Sequence, residues 1–271
     1  MAKFGKMEIA QFMAENLPYT GTLIRQHDPD RFFMTLLEPA SVRPALWALL
    51  AFHYEVAKTR EVVSEPTLGY MRLQWWRDAL ERLYAGNPPP AHEVLEPLAA
   101  VIQQYSLPFD LFDELISARE FDLDGTVPEN LEVLKRYTTS TVAPLTKLIL
   151  KVCGDPAAGV EQISCAYGLT GVMRAIPFMA QQGRSFVPAD MASSDDLFRD
   201  QVKCHEVLLR LHDAAAQSLV DAGSFKSKWL RLMGDSTRLY LKHMARLQFD
   251  VRDPRYSDMP PFYHLRLLLK L

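Results

Sequence analysis

Long apolar runs, paired cysteines and an excess of one charge are all missing from this 271-residue chain. Each absence removes a class of function. No apolar run approaches the roughly 20 residues that a membrane span requires. The three cysteines, Cys153, Cys165 and Cys204, are scattered without paired spacing, which argues against a disulfide frame or a zinc site and for buried thiols in a reducing compartment. The formal net charge of −3 gives no basic stripe, so no nucleic-acid partner is expected. Seven histidines show no ligand spacing. His205-Glu206 with His212 has the wrong interval for a zinc-binding helix. There is no glycine-rich phosphate loop, and no strand–turn–helix context for a serine nucleophile. At the start, Glu8 and Gln11 interrupt any signal-peptide core, and the arginine- and serine-rich character of a transit peptide is absent. The expected location is cytoplasmic, or the matrix if an organellar presequence has been removed.

What is present is helical. Hydrophobic residues make up 48% and charged residues 23%, an ordinary balance for a folded domain. Apolar residues recur at helical spacing almost throughout, with no convincing alternating strand. Pro39, Pro66, Pro88-Pro89-Pro90, Pro108, Pro128, Pro156, Pro188 and Pro260-Pro261 cut the chain into about ten helical segments. Ser41 is an expected N-cap with Pro44 in the first turn, and Asn130 and Asp155 are weaker cap candidates. Asn87-Pro88-Pro89-Pro90 is the clearest loop and is too short to be a domain linker, so one all-α domain over 1–271 is expected. The apolar ends, His264–Leu271 and Phe4, Met7, Ile9, Phe12 and Met13, read most plainly as strips docked on the core. Contact with a membrane surface is the other reading.

The most informative stretch is 42–61, Val-Arg-Pro-Ala-Leu-Trp-Ala-Leu-Leu-Ala-Phe-His-Tyr-Glu-Val-Ala-Lys-Thr-Arg-Glu, which reads as one helix. Steps of three and four residues return to the same side, so Leu50, Tyr54, Ala57 and Glu61 share a face. One glutamate beside Lys58 and Arg60 is, by itself, a solvated surface. The flanks carry more: Arg31-Phe32-Phe33 upstream, then Val62-Val63-Ser64-Glu65-Pro66, then Leu73-Gln74-Trp75-Trp76-Arg77. The two tryptophans read as helix-packing aromatics. Residues 166–188 add Ala-Tyr-Gly-Leu-Thr-Gly-Val-Met-Arg-Ala-Ile-Pro-Phe-Met-Ala-Gln-Gln-Gly-Arg-Ser-Phe-Val-Pro.

Together these segments resemble the squalene/phytoene synthase family. Its first signature runs Phe, any, Arg, any, any, Asp, Asp, any, any, Asp. Setting the Phe on Phe52 places the Arg on Tyr54, the first Asp on Ala57 and the last on Glu61. Its second signature, Leu-Thr-Asn, two residues, Arg-Asp, three residues and Asp, followed by a Gly-Arg-x-Tyr-x-Pro loop, matches at Leu169, Thr170, Arg174, Gly183, Arg184 and Pro188. It departs at Gly171, Ala175, Met179 and Phe186. Pro177, inside this helix, removes a hydrogen bond and clashes with the Met173 carbonyl, costing about 3 kcal/mol unless the helix kinks or ends. Between the signatures, the acidic stretch Glu114–Asp124 and Leu131-x-x-Leu-x-x-Tyr137 follow the layout of the family's middle. Asp122 and Asp124 there read as a solvated helix end.

The resemblance spans 28–250, is strongest over 28–84 and 166–188, and leaves 1–27 as an N-terminal extension. It implies an isoprenoid-synthase-like helical bundle with a central cavity. In that family, Mg²⁺ held by the aspartates neutralises a diphosphate leaving group that carries about three negative charges. Mg²⁺ needs hard oxygen ligands. With Ala57, Ala175 and Met179 at three of the four positions and Glu61 at the fourth, the resemblance implies a scaffold without its catalytic residues or a metal. Tyr54, Lys58, Glu61, Arg174 and Arg184, with Arg60, are then candidates to hold a phosphate or carboxylate directly. The plainer reading of the two later arginines is pairing with acids such as Asp190 or Glu61. The motifs His27-Asp-Pro-Asp-Arg-Phe32, Val63-Ser-Glu-Pro66, Arg72-Leu-Gln-Trp-Trp76 and Met173-Arg-Ala-Ile-Pro-Phe178 resemble a narrower branch, which includes the mitochondrial respiratory complex I assembly factor and its bacterial relatives. That implies a binding role in complex I assembly, complex I subunits and an isoprenoid or lipid as partners, and peripheral contact with the inner membrane. The competing expectation is an active prenyl transferase that condenses farnesyl or geranylgeranyl diphosphate with Mg²⁺ through an altered site.

Overall fold

A computed structural model describes residues 17–270; the apolar residues between Phe4 and Met13 lie outside the described residues. Those described form fourteen helices and no strand. The first two, α1 (Tyr19–His27) and α2 (Pro29–Leu37), meet at Asp28. The Asp28 side chain accepts from the Arg31 backbone N–H at 3.1 Å while Pro29 occupies the first helical position. A carboxylate cap followed by proline both ends one helix and starts the next. Residues 19–27, read from sequence as part of an extension, pack as α1 against the helix 43–57.

That helix, α3 (Arg43–Ala57), is buried without interruption from Ala45 to His53. It is apolar on all sides, as a central helix must be. It does not run on to Glu61. The chain turns at Lys58 and resumes as the single turn α4 (Thr59–Val62), so Ala57 and Glu61 stand on either side of a break. Ser41 is not its cap. Pro39–Val42 form a turn closed by the Val42 N–H on the Pro39 carbonyl at 3.1 Å, and Pro44 sits in the first helical turn as expected.

Next come α5 (Pro66–Tyr84), α6 (Leu95–Tyr105), α7 (Phe109–Ala118) and the single turn α8 (Glu120–Leu123). The long α9 (Leu131–Cys153) is capped by Asn130, which accepts from the Val133 N–H at 3.1 Å, and ends on Gly154 with φ 71°. Asp155 caps no helix; its carboxylate accepts from Ser227 Oγ at 2.7 Å. The chain continues as α10 (Val160–Gln181), α11 (Ser194–Arg199), α12 (Gln201–Asp221), α13 (Lys228–Arg246) and α14 (Tyr263–Leu268). Proline breaks less than its chemistry suggests: Pro144 lies inside α9, and α10 passes Pro177 before ending four residues later.

The core runs from Ile24 to Leu267 as one contiguous apolar cluster. At its centre α9 packs against α10, α7 and α3, and α10 packs in turn against α12 and α13. Gly168 makes the α9–α10 approach feasible: a Cβ there would stand 2.7 Å from Thr138 Cβ. By length and composition α10 is apolar enough to cross a membrane, which the count of apolar runs missed, yet it is a core helix. Of the tryptophan pair, Trp76 is buried, whereas Trp75 is 40% exposed and edge-on to its neighbour.

Candidate functional site

The site is built from the polar residues buried near the two signature segments. At the N-terminal side, Asp30 is buried on α2. Its Oδ2 accepts from Tyr240 Oη at 2.6 Å and from Arg174 at 3.1 Å. The Arg174 guanidinium also lies over the Tyr240 ring, 3.6 Å from its centre. Arg174 therefore does pair with an acid, but with Asp30 rather than Asp190 or Glu61.

Alongside runs a second chain of charges. Arg31, bonded to Asp28, places a guanidinium nitrogen 3.3 Å from His53 Nδ1. Arg119 places one 3.3 Å from His53 Nε2, which is also 3.2 Å from the Thr141 carbonyl. Guanidinium groups only donate. The arrangement that satisfies the ring has Nδ1 accepting from Arg31 and Nε2–H donating to Thr141, which is a neutral imidazole. Burial, then the fields of Arg31 and Arg119, hold the His53 pKa well below its ordinary value. Arg119 continues to Asp122 at 3.2 Å, and Asp122 accepts from Tyr137 Oη at 2.6 Å. Asp122 is therefore buried and paired, not a solvated helix end; Asp124 is exposed and accepts from Tyr70. Burial pushes the phenols of Tyr137, Tyr167 and Tyr240 well up.

Two hollows border this interior. One, of about 440 Å³, is walled by Asp30, Arg31, Tyr167, Gly171, Arg174 and Tyr240 among others. The other, of about 350 Å³, has Arg60 and Arg184 on its wall with Ser185 and Asp195. The five residues proposed from sequence to hold an anion are thus not brought together. Arg174 belongs to the first hollow and Arg184 to the second, while Tyr54, Lys58 and Glu61 line neither. Tyr54 stacks on His27 at 4.5 Å, Lys58 lies over the Tyr54 ring and pairs with Glu55 at 2.7 Å, and Glu61 is exposed.

The positions aligned with the aspartate signatures do not fit a magnesium cluster. Ala57, Ala175 and Met179 offer no oxygen, and Met179 borders only a residual void of about 10 Å³ beside Arg184 and Phe186. The interior carboxylates are committed elsewhere: Asp28 to Arg31, Asp30 to Arg174, Asp122 to Arg119, and Glu55 to both Lys58 and Arg72. Mg²⁺ requires several hard oxygens converging in near-octahedral geometry. Here Arg31, Arg174, Arg119, Arg72 and Lys58 supply the positive charge, and Asp28, Asp30, Asp122 and Glu55 are already paired with them.

This architecture is that of the isoprenoid-synthase bundles. A dehydrosqualene synthase crystal structure superposes with a TM-score of 0.75 over 93% of both chains at 15% identity. A squalene synthase HpnC from Alicyclobacillus acidocaldarius gives 0.72 over 91% of this chain and 95% of that one at 20% identity. Residues 24–260 match the squalene/phytoene synthase family model, and the chain belongs to that family. Among its relatives is the human NADH dehydrogenase (ubiquinone) complex I, assembly factor 6, 30% identical over 93% of this chain and 80% of that protein. A 15-cis-phytoene synthase of Synechococcus elongatus is 26% identical over 60% of this chain and 59% of its own.

Proposed function

We propose that this chain is a non-catalytic member of the family that acts by binding, in the assembly of respiratory complex I, without a metal cofactor. The observation that supports it most is the pairing of Asp30, Glu55 and Asp122, buried beside the signature helices, with arginines and a lysine of the same chain. A diphosphate leaving group needs cations that are free to meet it, and carboxylates already neutralised hold no metal there. Similarity to complex I assembly factor 6 over nearly the whole chain supports the partner. The work is placed at the membrane surface, on the cytoplasmic face in a bacterium or the matrix face in a mitochondrion.

A ligand is part of the reading. The hollow of about 350 Å³, where Arg60 and Arg184 stand without an ion-pair partner among the described residues, lies within the size range of small-molecule sites, and we assign it to an isoprenoid or lipid carrying an anionic group. A rise in melting temperature with farnesyl diphosphate, without product, marks that binding. Incubation of the pure protein with farnesyl or geranylgeranyl diphosphate and Mg²⁺ separates this reading from an active prenyl transferase: no pyrophosphate above a heat-killed control is expected, and release overturns it. A deletion strain that assembles complex I normally removes the partner.

A further inference from the structure

Beyond residue 260, where the family match ends, lies α14, a short helix with two unlike sides. Tyr263 and Leu267 are buried, and Tyr263 Oη donates to Ser236 Oγ on α13 at 2.7 Å. The docked strip expected from sequence accounts for those two residues only. Phe262, Leu265, Leu268 and Leu269 are 78%, 53%, 48% and 78% exposed. At about 100° per residue, Leu265 points directly away from the buried pair, with Phe262, Leu268 and Leu269 grouped around it. His264 borders this apolar pole on one side and Arg266 on the other, while Lys270 lies back toward the buried pair and meets Asp235 at 2.9 Å. No acidic residue occurs from Met259 to Lys270. On α13 beneath, Arg231 is exposed, and Asp235 is occupied by both Arg238 and Lys270.

Phe262 adds an independent observation. It sits in the left-handed region at φ 59°, which is costly for a bulky side chain, and its ring stands in solvent. Pro260-Pro261 precedes it, and the hydrogen bonds Tyr263 N–H to Pro260 carbonyl (3.0 Å) and Arg266 N–H to Phe262 carbonyl (2.9 Å) hold the turn. The strained backbone therefore presents an aromatic ring outward instead of folding it onto the core.

We infer that this segment is a lipid-contact surface for an anionic bilayer. Phe262, Leu265, Leu268 and Leu269 enter the headgroup boundary, while Arg266 and the His264 ring at its borders meet lipid phosphates. An apolar pole bordered by an arginine, with no acid in the segment, is the pattern of a helix lying in a membrane interface. A second copy of the chain fits poorly. Its identical cations would face these, and four side chains on two helical turns fall far short of the roughly 800 Å² per partner that a stable dimer buries. The inference deepens the membrane placement proposed above and names the surface that makes it.

Flotation of the purified full-length protein tests it without complex I, so its failure is distinct from failure of the assembly role. The protein is expected to float at low salt with phosphatidylcholine vesicles that contain phosphatidylglycerol, and not with phosphatidylcholine alone. The triple variant Phe262→Ser, Leu265→Ser, Leu269→Ser should lose flotation at an unchanged melting temperature, because these side chains are exposed. Arg266→Gln should weaken binding about five-fold, and added salt should weaken it as well. Absence of flotation on the anionic vesicles, or equal flotation by the triple variant, overturns the inference. A concentration-dependent dimer abolished by the triple variant reassigns the face to a second copy and overturns it equally.

Discussion

Arg174 and Tyr240 converge on one oxygen of Asp30, and the guanidinium lies 3.6 Å above the centre of the ring whose hydroxyl it meets there. This ties α10 to α13 and α2 in the region next to the second family signature. Removing one member leaves the others without their match. Asp30→Ala should destabilise the fold by about 2–4 kcal/mol, because a buried pair broken on one side leaves an uncompensated charge. Arg174 is 29% exposed, which holds the cost toward the lower figure. Arg174→Leu combined with Asp30→Leu should cost less than the sum of the two single changes, since the pair is coupled. Denaturant unfolding of the four proteins measures this; strict additivity would show that Asp30 and Arg174 do not act as a pair.

His53 gives the protein a pH dependence with a definite sign. Its folded-state pKa lies well below the ordinary value of 6.5 because the ring is buried and faces Arg31 and Arg119. The unfolded chain therefore takes up the proton first as pH falls. The stability held by neutral His53 is fully present above about pH 6.5 and is lost progressively below it, at up to about 1.4 kcal/mol per pH unit until the folded pKa is reached. Melting temperatures from pH 8 to pH 5 should decline more steeply in the wild type than in His53→Gln. Parallel curves would mean that the imidazole does not titrate with unfolding.

The fold class was legible because apolar residues keep helical spacing and Asn130 announces its helix. The breaks at Lys58 and Arg119 were not, since both residues are good helix formers and only tertiary packing ends the helix there. The polar interior was hidden for another reason. Asp30 and Arg174 are 144 positions apart, and no local pattern links them. A signal was available in composition: His53 and Glu55 interrupt the otherwise apolar run of α3, and Asp28-Pro-Asp-Arg31 precedes a phenylalanine pair. Charges placed where a helix is buried on every side need partners, and looking for those partners would have pointed inward. The five residues offered for an anion, Tyr54, Lys58, Glu61, Arg174 and Arg184, do not share one hollow, and the face that joined Tyr54 to Glu61 crosses the turn at Lys58.

Two glycines one turn apart on α10 should respond in opposite ways. A Cβ on Gly168 would stand 2.7 Å from Thr138 Cβ and 3.0 Å from the Thr138 carbonyl oxygen, whereas nothing lies within 4 Å of one on Gly171. Gly168→Ala must move α9 and α10 apart and should cost about 1–3 kcal/mol. Gly171→Ala meets open space and should stabilise by about 0.5–1 kcal/mol through helix propensity. Thermal melts of the two variants distinguish this from a general intolerance of α10 to substitution. If both destabilise alike, the close approach at Gly168 is not what requires glycine.

Restoring the family aspartates should fail to restore the metal. The variant Ala57→Asp, Glu61→Asp, Ala175→Asp, Met179→Asp supplies four carboxylates, but positions 57 and 61 now flank the break at Lys58. They belong to two successive helices, Arg43–Ala57 and Thr59–Val62, joined by a turn at Lys58. Arg60 and Arg184 share the wall of the hollow near these ends, and Lys58 lies within the same turn as position 57. New acids beside free guanidinium groups pair with them before they gather at 2.0–2.1 Å around a small cation that sheds its water reluctantly. Calorimetric titration with Mg²⁺ should therefore show no saturable binding, and farnesyl diphosphate should release no pyrophosphate. If the four substitutions alone recover tight, stoichiometric Mg²⁺ binding, the scaffold has kept its metal geometry and lost only the ligands. If they do not, adding Arg60→Ser and Arg184→Ser tests whether the arginines are the obstacle, with recovered binding expected only once the competing cations are gone.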